Sequence, residues 1–272
     1  MSTANETNTT DAILIVSFGT SYNDSREKTI GAIEKAIAEA FPERSVRRAF
    51  TSRMIIHKLK ERDGYAVDTV EEALERMKSD GISRLVVQPT HLMDGNEYMG
   101  VAATAEKWQS QFETLVIGKT LLGSEYDNRA VIQAITEDTR QFDDGQTAVC
   151  FMGHGSDAAA NAIYSKLQQM LVDAGYKNYY IGTVEADPTL EQLLSFVKKG
   201  GNYSHVVLQP LMVVAGDHAN NDMAGEDGDS WKSTFEKEGY NVTCIVKGLG
   251  ELEVIRNIYV QHVKDCIEQC RQ

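Results

Sequence analysis

No stretch of this sequence reaches the roughly 18 consecutive apolar residues that a membrane-spanning helix needs. Basic residues are also few: 27 Lys and Arg stand against 40 Asp and Glu, for a formal charge of −13. A chain of that sign is a poor partner for nucleic acid or an anionic membrane surface, and any anion it binds must be met by local donors. Only four cysteines occur (Cys150, Cys244, Cys266 and Cys270), with no C-x-x-C spacing, which fits reduced structural thiols in a cytoplasmic protein. The glycine-rich and lysine-bearing phosphate loops are missing, so a nucleotide cofactor has no support, and no G-x-S-x-G nucleophile elbow is present. The opening segment MSTANETNTTD has no apolar core for a secretory signal and reads as a frayed polar tail.

What the chain does have is an ordinary globular composition, 42% hydrophobic and 25% charged over 272 residues, enough for one or two domains. Short apolar runs alternate with helical patterns throughout. Residues 13–18 (ILIVSF) form a run without two-residue alternation, as expected of a strand buried on both faces. Asp24 and Glu27 read as a capping box, ahead of Ile30, Ile33, Ile37 and Phe41 at helical spacing. Further strands are expected at 45–50, 84–88 and 114–118, with helices at 53–62, 97–112 and 128–141. Another helix, capped by Asp68 with Glu71, should close at Gly81. The second half repeats the scheme, with strands at 147–152, 179–183, 205–209 and 241–246. Its helices are expected at 161–174, after Asp187-Pro188 with proline in the first helical position, at 230–238 and at 252–269.

Four βα units followed by four more imply parallel strands with right-handed crossovers. The expected fold is α/β: two similar doubly wound domains with parallel four-stranded sheets and a cleft between them. The expected domains are 1–140, joined by the C-terminal helix 252–270, and 141–251.

An internal duplication supports the two halves. Gly19 in SFGTS aligns with Gly153 in FMGHGS, and Gln88-Pro89 aligns with Gln209-Pro210. That alignment sets Thr20 opposite His154 and Glu97 opposite His218. Each motif follows a strand directly, where ligands of open α/β sheets bind.

Three polar groups of the second half also follow strands: His154 after 147–152, Glu185 after 179–183 and His218 after 205–209. Two histidines and a carboxylate suit a borderline divalent ion such as Co²⁺, Ni²⁺, Fe²⁺ or Zn²⁺. The same imidazoles could instead accept protons near neutral pH. His91 follows a strand of the first half and could face the same cleft. His57 and His262 read as ordinary helix residues, and His205 as structural. Met93, Met99, Met212 and Met223 lie in or near two long post-strand loops and would suit a large flat ligand or core packing.

The segments LIVSFGTS, VVQPTHLMDGNEY, FMGHGS, GTVEADPT and VVLQPLMVVAGDHANNDMAG, in this order, resemble the class II tetrapyrrole chelatases, most closely their anaerobic cobaltochelatase branch. The resemblance extends from about residue 13 to the last helix. It implies a lyase that inserts Co²⁺ into sirohydrochlorin or precorrin-2 on the anaerobic route to cobalamin, without a nucleotide. It assigns catalysis to His154 and His218 and metal binding to His154, Glu185 and His218. It makes Phe18, Gly19, Thr20, Ser21, His91, Leu92 and Met93 candidate substrate contacts. The substrate metal would be Co²⁺, with Fe²⁺ or Ni²⁺ left open. The expected partner is the tetrapyrrole, with no nucleic acid and no membrane; a homo-oligomer is left open. A ferro- or nickel-chelatase and a non-catalytic tetrapyrrole- or metal-binding protein are the alternatives.

Overall fold

The computed structural model describes residues 10–269. The first half comprises β1 (Asp11–Ser17), α1 (Asn23–Arg26), α2 (Ala32–Ala40), β2 (Ser45–Phe50), α3 (Arg53–Asp63), β3 (Asp68–Thr69), α4 (Val70–Ser79), β4 (Arg84–Pro89), α5 (Asn96–Trp108), β5 (Thr114–Ile117) and α6 (Glu125–Asp138). The second half comprises β6 (Thr147–Gly153), α7 (Ala162–Asp173), β7 (Tyr179–Thr183), α8 (Leu190–Gly200), β8 (His205–Pro210), α9 (Trp231–Lys237) and β9 (Asn241–Cys244). The chain then ends its described part in α10 (Glu253–Gln269).

The strands form two all-parallel sheets, ordered β3-β2-β1-β4-β5 and β7-β6-β8-β9. With β3 set aside, the two orders are the same: each half places its first strand between its second and third. The first sheet therefore has five strands where four were expected. β3 is only two residues long and pairs Asp68 with Ala49 and Thr69 with Phe50. A strand this short and polar leaves no apolar run to recognise. The cap of α4 moves accordingly. Thr69 and Glu72 form the capping box, not Asp68 and Glu71.

Two other caps differ from expectation. Asp24 lies inside α1, and no side chain caps that helix; a π-helical turn at Glu27–Gly31 carries the chain on into α2. Pro188 precedes the N-cap of α8, which is Thr189 in a capping box with Gln192. Thr and Gln satisfy the orphan N–H groups there directly, so proline is not needed in the first turn.

Each central strand is buried on both faces, so alternate residues feed different cores. Ala12, Leu14 and Val16 of β1 pack under α4 and α5, with Leu74, Met77 and Val101. Ile13 and Ile15 point the other way, toward Ile33 and Ile37 of α2. Val149 and Phe151 of β6 meet Tyr164, Leu167 and Leu171 of α7, while Cys150 and Met152 face α8 and α9.

The inward faces of both sheets belong to one continuous core, which also takes in α6 and α10. The result is five layers: α4 and α5, the first sheet, a shared layer of α2, α6, α7 and α10, the second sheet, and α8 with α9. α10 packs against α2, α6 and β4. Its His262, read from the sequence as an ordinary helix residue, is buried with its Nε2 3.1 Å from Asp127 Oδ2 on α6. His205 bridges β6 and β9 through Thr147 and Thr243, as a structural residue. His57 lies exposed on α3. Cys150 is fully buried, and burial raises its thiol far above the usual range. Cys270 and most of the expected polar tail lie outside the described residues, although Asp11 of that segment is the first residue of β1.

Candidate functional site

The carboxyl ends of the central strands set the candidate residues. β6 ends at Gly153, and His154 follows it. A Cβ at residue 153 would stand 2.3 Å from the Tyr164 ring, so the strand end lies flush on that buried tyrosine. Gly155 takes a φ of +91°, and a Cβ there would come within 2.8 Å of the Ala186 nitrogen. These glycines let the chain turn tightly and leave the imidazole half-exposed at the tip. Glu185 N–H donates to the His154 carbonyl at 2.9 Å, which ties the loop after β7 to the loop after β6. His218 starts the turn after β8, just before a π-helical segment at Ala219–Met223.

These loops bring the three groups together. The His154 and His218 rings meet edge to face, with centroids 4.8 Å apart and planes at 84°. His154 Nδ1 lies 3.7 Å from Glu185 Oε2 and 3.0 Å from the Gly155 carbonyl. One ligating atom from each of His154, Glu185 and His218 lies within 4.8 Å of the others. Donor atoms in a tetrahedral shell with bonds of about 2.1 Å sit about 3.4 Å apart. The cluster is thus close enough to share one ion and open enough to release it. Sequence reasoning missed Asp222, whose Oδ2 lies 2.7 Å from His218 Nδ1. Its spacing of four residues on a helical turn was the available signal.

The first half supplies the facing loops. Phe18 is exposed, while Gly19, Thr20 and Ser21 are buried. Ser17 Oγ accepts from Thr90 Oγ1 at 2.7 Å, and Arg62 donates to the Ser21 carbonyl at 2.7 Å, which hold this loop from behind. It reaches the His218 loop: Tyr22 Oη donates to Asp217 Oδ1 at 3.3 Å, and Thr20 Oγ1 lies 3.4 Å from where a Cβ of residue 216 would stand. Reciprocally, the loop after β4 reaches the His154 loop, with Asn96 Nδ2 donating to Asp157 Oδ1 at 3.0 Å. The β1 loop therefore touches the β8 loop, and the β4 loop touches the β6 loop. This is the pairing expected of two like halves about a pseudo-two-fold axis.

Of the remaining predicted contacts, Leu92 and Met93 are half-buried against the central core. His91 is partly buried, and both its ring nitrogens are shielded without a hydrogen-bond partner. Burial pulls its pKa down to about 4. Neither ring nitrogen of His91 therefore bonds to the His154–Glu185–His218 cluster. The open groove bounded by α2, β2 and Tyr65–Asp68 likewise shares no residue with that cluster.

Backbone hydrogen bonds correct the sequence alignment of the halves. The Val16 carbonyl accepts from Thr90 N as Met152 does from Leu211 N. The Phe18 carbonyl accepts from Ser52 N as His154 does from Glu185 N. Phe18, not Thr20, therefore stands in the place of His154, and Ser52 in the place of Glu185. Gly19 pairs with Gly155, and both have a positive φ. The sequence alignment slipped by two residues because it set Gly19 on Gly153, another glycine. The later register holds: Leu121 N donates to the His91 carbonyl as Leu249 N does to Met212.

With this geometry in place, similarity to known proteins decides the family. Residues 11–268 match the family described as cobalt chelatase (CbiK). The chain belongs to that family. It is 39% identical to the sirohydrochlorin cobaltochelatase of Salmonella typhimurium, over 94% of this chain and 96% of that one. It is 32% identical to the sirohydrochlorin cobaltochelatase CbiKC of Nitratidesulfovibrio vulgaris, over 94% and 90%. Among solved structures, SirB from Bacillus subtilis with Fe³⁺ superposes with a TM-score of 0.64 at 14% identity, covering 96% of this chain and 98% of that one. The sirohydrochlorin chelatase SirB of Bacillus subtilis subspecies spizizenii, in complex with cobalt, superposes with a TM-score of 0.61 at 16% identity, covering 95% and 96%. At those identities the two structures establish the shared fold.

Proposed function

We propose that this cobalt chelatase inserts Co²⁺ into sirohydrochlorin at the seam between its halves, with His154, Glu185 and His218 handling the ion. The convergence of those three side chains at adjacent strand ends, in a chain of this family, carries the reading. Co²⁺ is cargo here. It must be held long enough to lose water and then given up to the ring nitrogens. Two imidazoles and a carboxylate match a borderline ion, and their half-exposed setting leaves coordination positions open.

Metallation also removes two pyrrole N–H protons. An imidazole that is not holding the ion can take up a proton from the ring, and His154 Nδ1 stands 3.7 Å from Glu185 Oε2. No step calls for a nucleotide.

The ring is proposed to lie against Phe18, Gly19, Thr20 and Ser21 on one side, with His91, Leu92 and Met93 bordering it. Backbone N–H groups of this loop are the proposed donors to the substrate carboxylates in a chain of charge −13. The proposed domain boundary falls near residue 140, with α10 returning to the first half, which its packing on α2, α6 and β4 supports. The proposed compartment is the cytoplasm, which the unpaired thiols of Cys150 and Cys244 support.

Anaerobic incubation with sirohydrochlorin and Co²⁺, followed by the absorption shift of the metallated ring, tests the activity. Binding of the ring without that shift would show a non-catalytic tetrapyrrole-binding protein instead. Parallel rates with Fe²⁺ and Ni²⁺ test the choice of ion.

A further inference from the structure

We infer that Asp222 is a positioning residue that fixes which nitrogen of His218 is offered to the metal. Its Oδ2 lies 2.7 Å from His218 Nδ1. An ionised carboxylate only accepts hydrogen bonds, so Nδ1 must carry the proton and donate. The ring lone pair is then confined to Nε2. Histidines that ligate metals commonly donate their second nitrogen to a carboxylate or a carbonyl, which sets ring orientation and raises ligand basicity.

The two histidines of the site use different acceptors. His154 Nδ1 has the Gly155 backbone carbonyl at 3.0 Å, which no substitution of the side chain removes. His218 depends on a side chain one turn ahead of it. That turn is π-helical, and Asp222 lies within it. The Asp222 carboxylate is about half exposed, and the side chain it pairs with is that of His218. π-helical turns are rare and often occur at functional sites, in keeping with a local geometry kept for this pair.

The inference rests on the reading of His218 as a ligand, and the test separates the two. Co²⁺ alone is titrated into the metal-free enzyme, without tetrapyrrole, and followed by its d–d absorption. Asp222→Ala is expected to weaken Co²⁺ binding about 10–100-fold, the usual effect of losing such a partner. Asp222→Asn, whose side-chain oxygen still accepts the Nδ1 proton, is expected to recover most of that loss. A second readout uses no metal: ¹⁵N NMR of the neutral His218 ring should show Nδ1–H alone in the parent and a mixture of tautomers in Asp222→Ala. Parent-like Co²⁺ affinity in Asp222→Ala, with weakened binding in His218→Ala, overturns the positioning role and leaves the ligand reading standing. An Asp222→Asn variant as weak as Asp222→Ala also overturns it, because loss of charge rather than of ring orientation would then be responsible. Parent-like binding in His218→Ala overturns both.

Discussion

His154 and His218 come from different strands, yet their rings meet at right angles with centroids 4.8 Å apart. Neither ring is locked in the core, so replacing either should leave the fold intact. His154→Ala and His218→Ala are each expected to lower Co²⁺ insertion by at least about 10²-fold, the lower end for loss of a proton-transfer group. Stopped-flow absorbance with sirohydrochlorin, beside thermal melts that match the parent, checks this. Parent-like turnover in both variants would sink the assignment.

Gly155 offers a test of backbone geometry. Its φ of +91° and the Ala186 nitrogen 2.8 Å from the missing Cβ leave no room for a side chain. Gly155→Ala is expected to cost about 1–3 kcal/mol of stability and to displace His154. Chemical denaturation measures the first effect, and a rise in the Co²⁺ concentration needed for half-maximal rate measures the second.

His91 makes the stability of the protein depend on acid. Burial holds its pKa near 4, against about 6.5 in the unfolded chain. The folded state thus resists protonation that the unfolded state accepts. The contribution of this group is full above pH 6.5 and is lost as pH drops toward 4, by up to about 3 kcal/mol. His91→Leu should remove that part of the slope, and urea midpoints at pH 7 and pH 4.5 compare the two. An identical slope in the variant would place the acid sensitivity elsewhere.

The buried Asp127–His262 contact should matter to stability and not to catalysis. It ties α6 to α10 with both side chains nearly inaccessible. Asp127→Ala is expected to cost about 1–3 kcal/mol, because it leaves the buried His262 ring nitrogen without its hydrogen-bond partner. The variant that remains folded at low temperature should insert Co²⁺ at the parent rate.

The acidic total suggests one more measurement. If the charge of −13 helps to gather Co²⁺, apparent Co²⁺ affinity should decline as ionic strength rises and the Debye length shortens from about 30 Å at 0.01 M to about 8 Å at 0.15 M. A flat response would confine the attraction to the three proposed ligands, His154, Glu185 and His218.

Much of this arrangement was legible before any coordinates. β1, β4, β6 and β8 are buried on both faces and so announce themselves as unbroken apolar runs. Parallel strands joined by helices then put every following loop on one edge, which is why His154, Glu185 and His218 could be grouped. β3 could not be read, since two polar residues carry no pattern. The π-helical turns left no sequence signal either, because nothing in residues 27–31 or 219–223 distinguishes them from α-helix. Asp222 stayed hidden although its spacing of four residues from His218 suits a helical turn, because no helical turn is expected from the sequence between β8 and α9. The equivalence of Phe18 with His154 was masked by a glycine two residues away that offered a plausible but wrong match.

That last equivalence bears on the substrate. A macrocycle has two faces, and the two halves of this chain do not treat them alike. At matching positions on the two sheets, one half ends in imidazole and the other in a phenyl ring that neither ligates nor titrates. A ring seated between them would exchange its ion and its protons on one side only, while the other side rests on an inert support. Two like strand ends that carry unlike side chains would thus give the proposed site a direction.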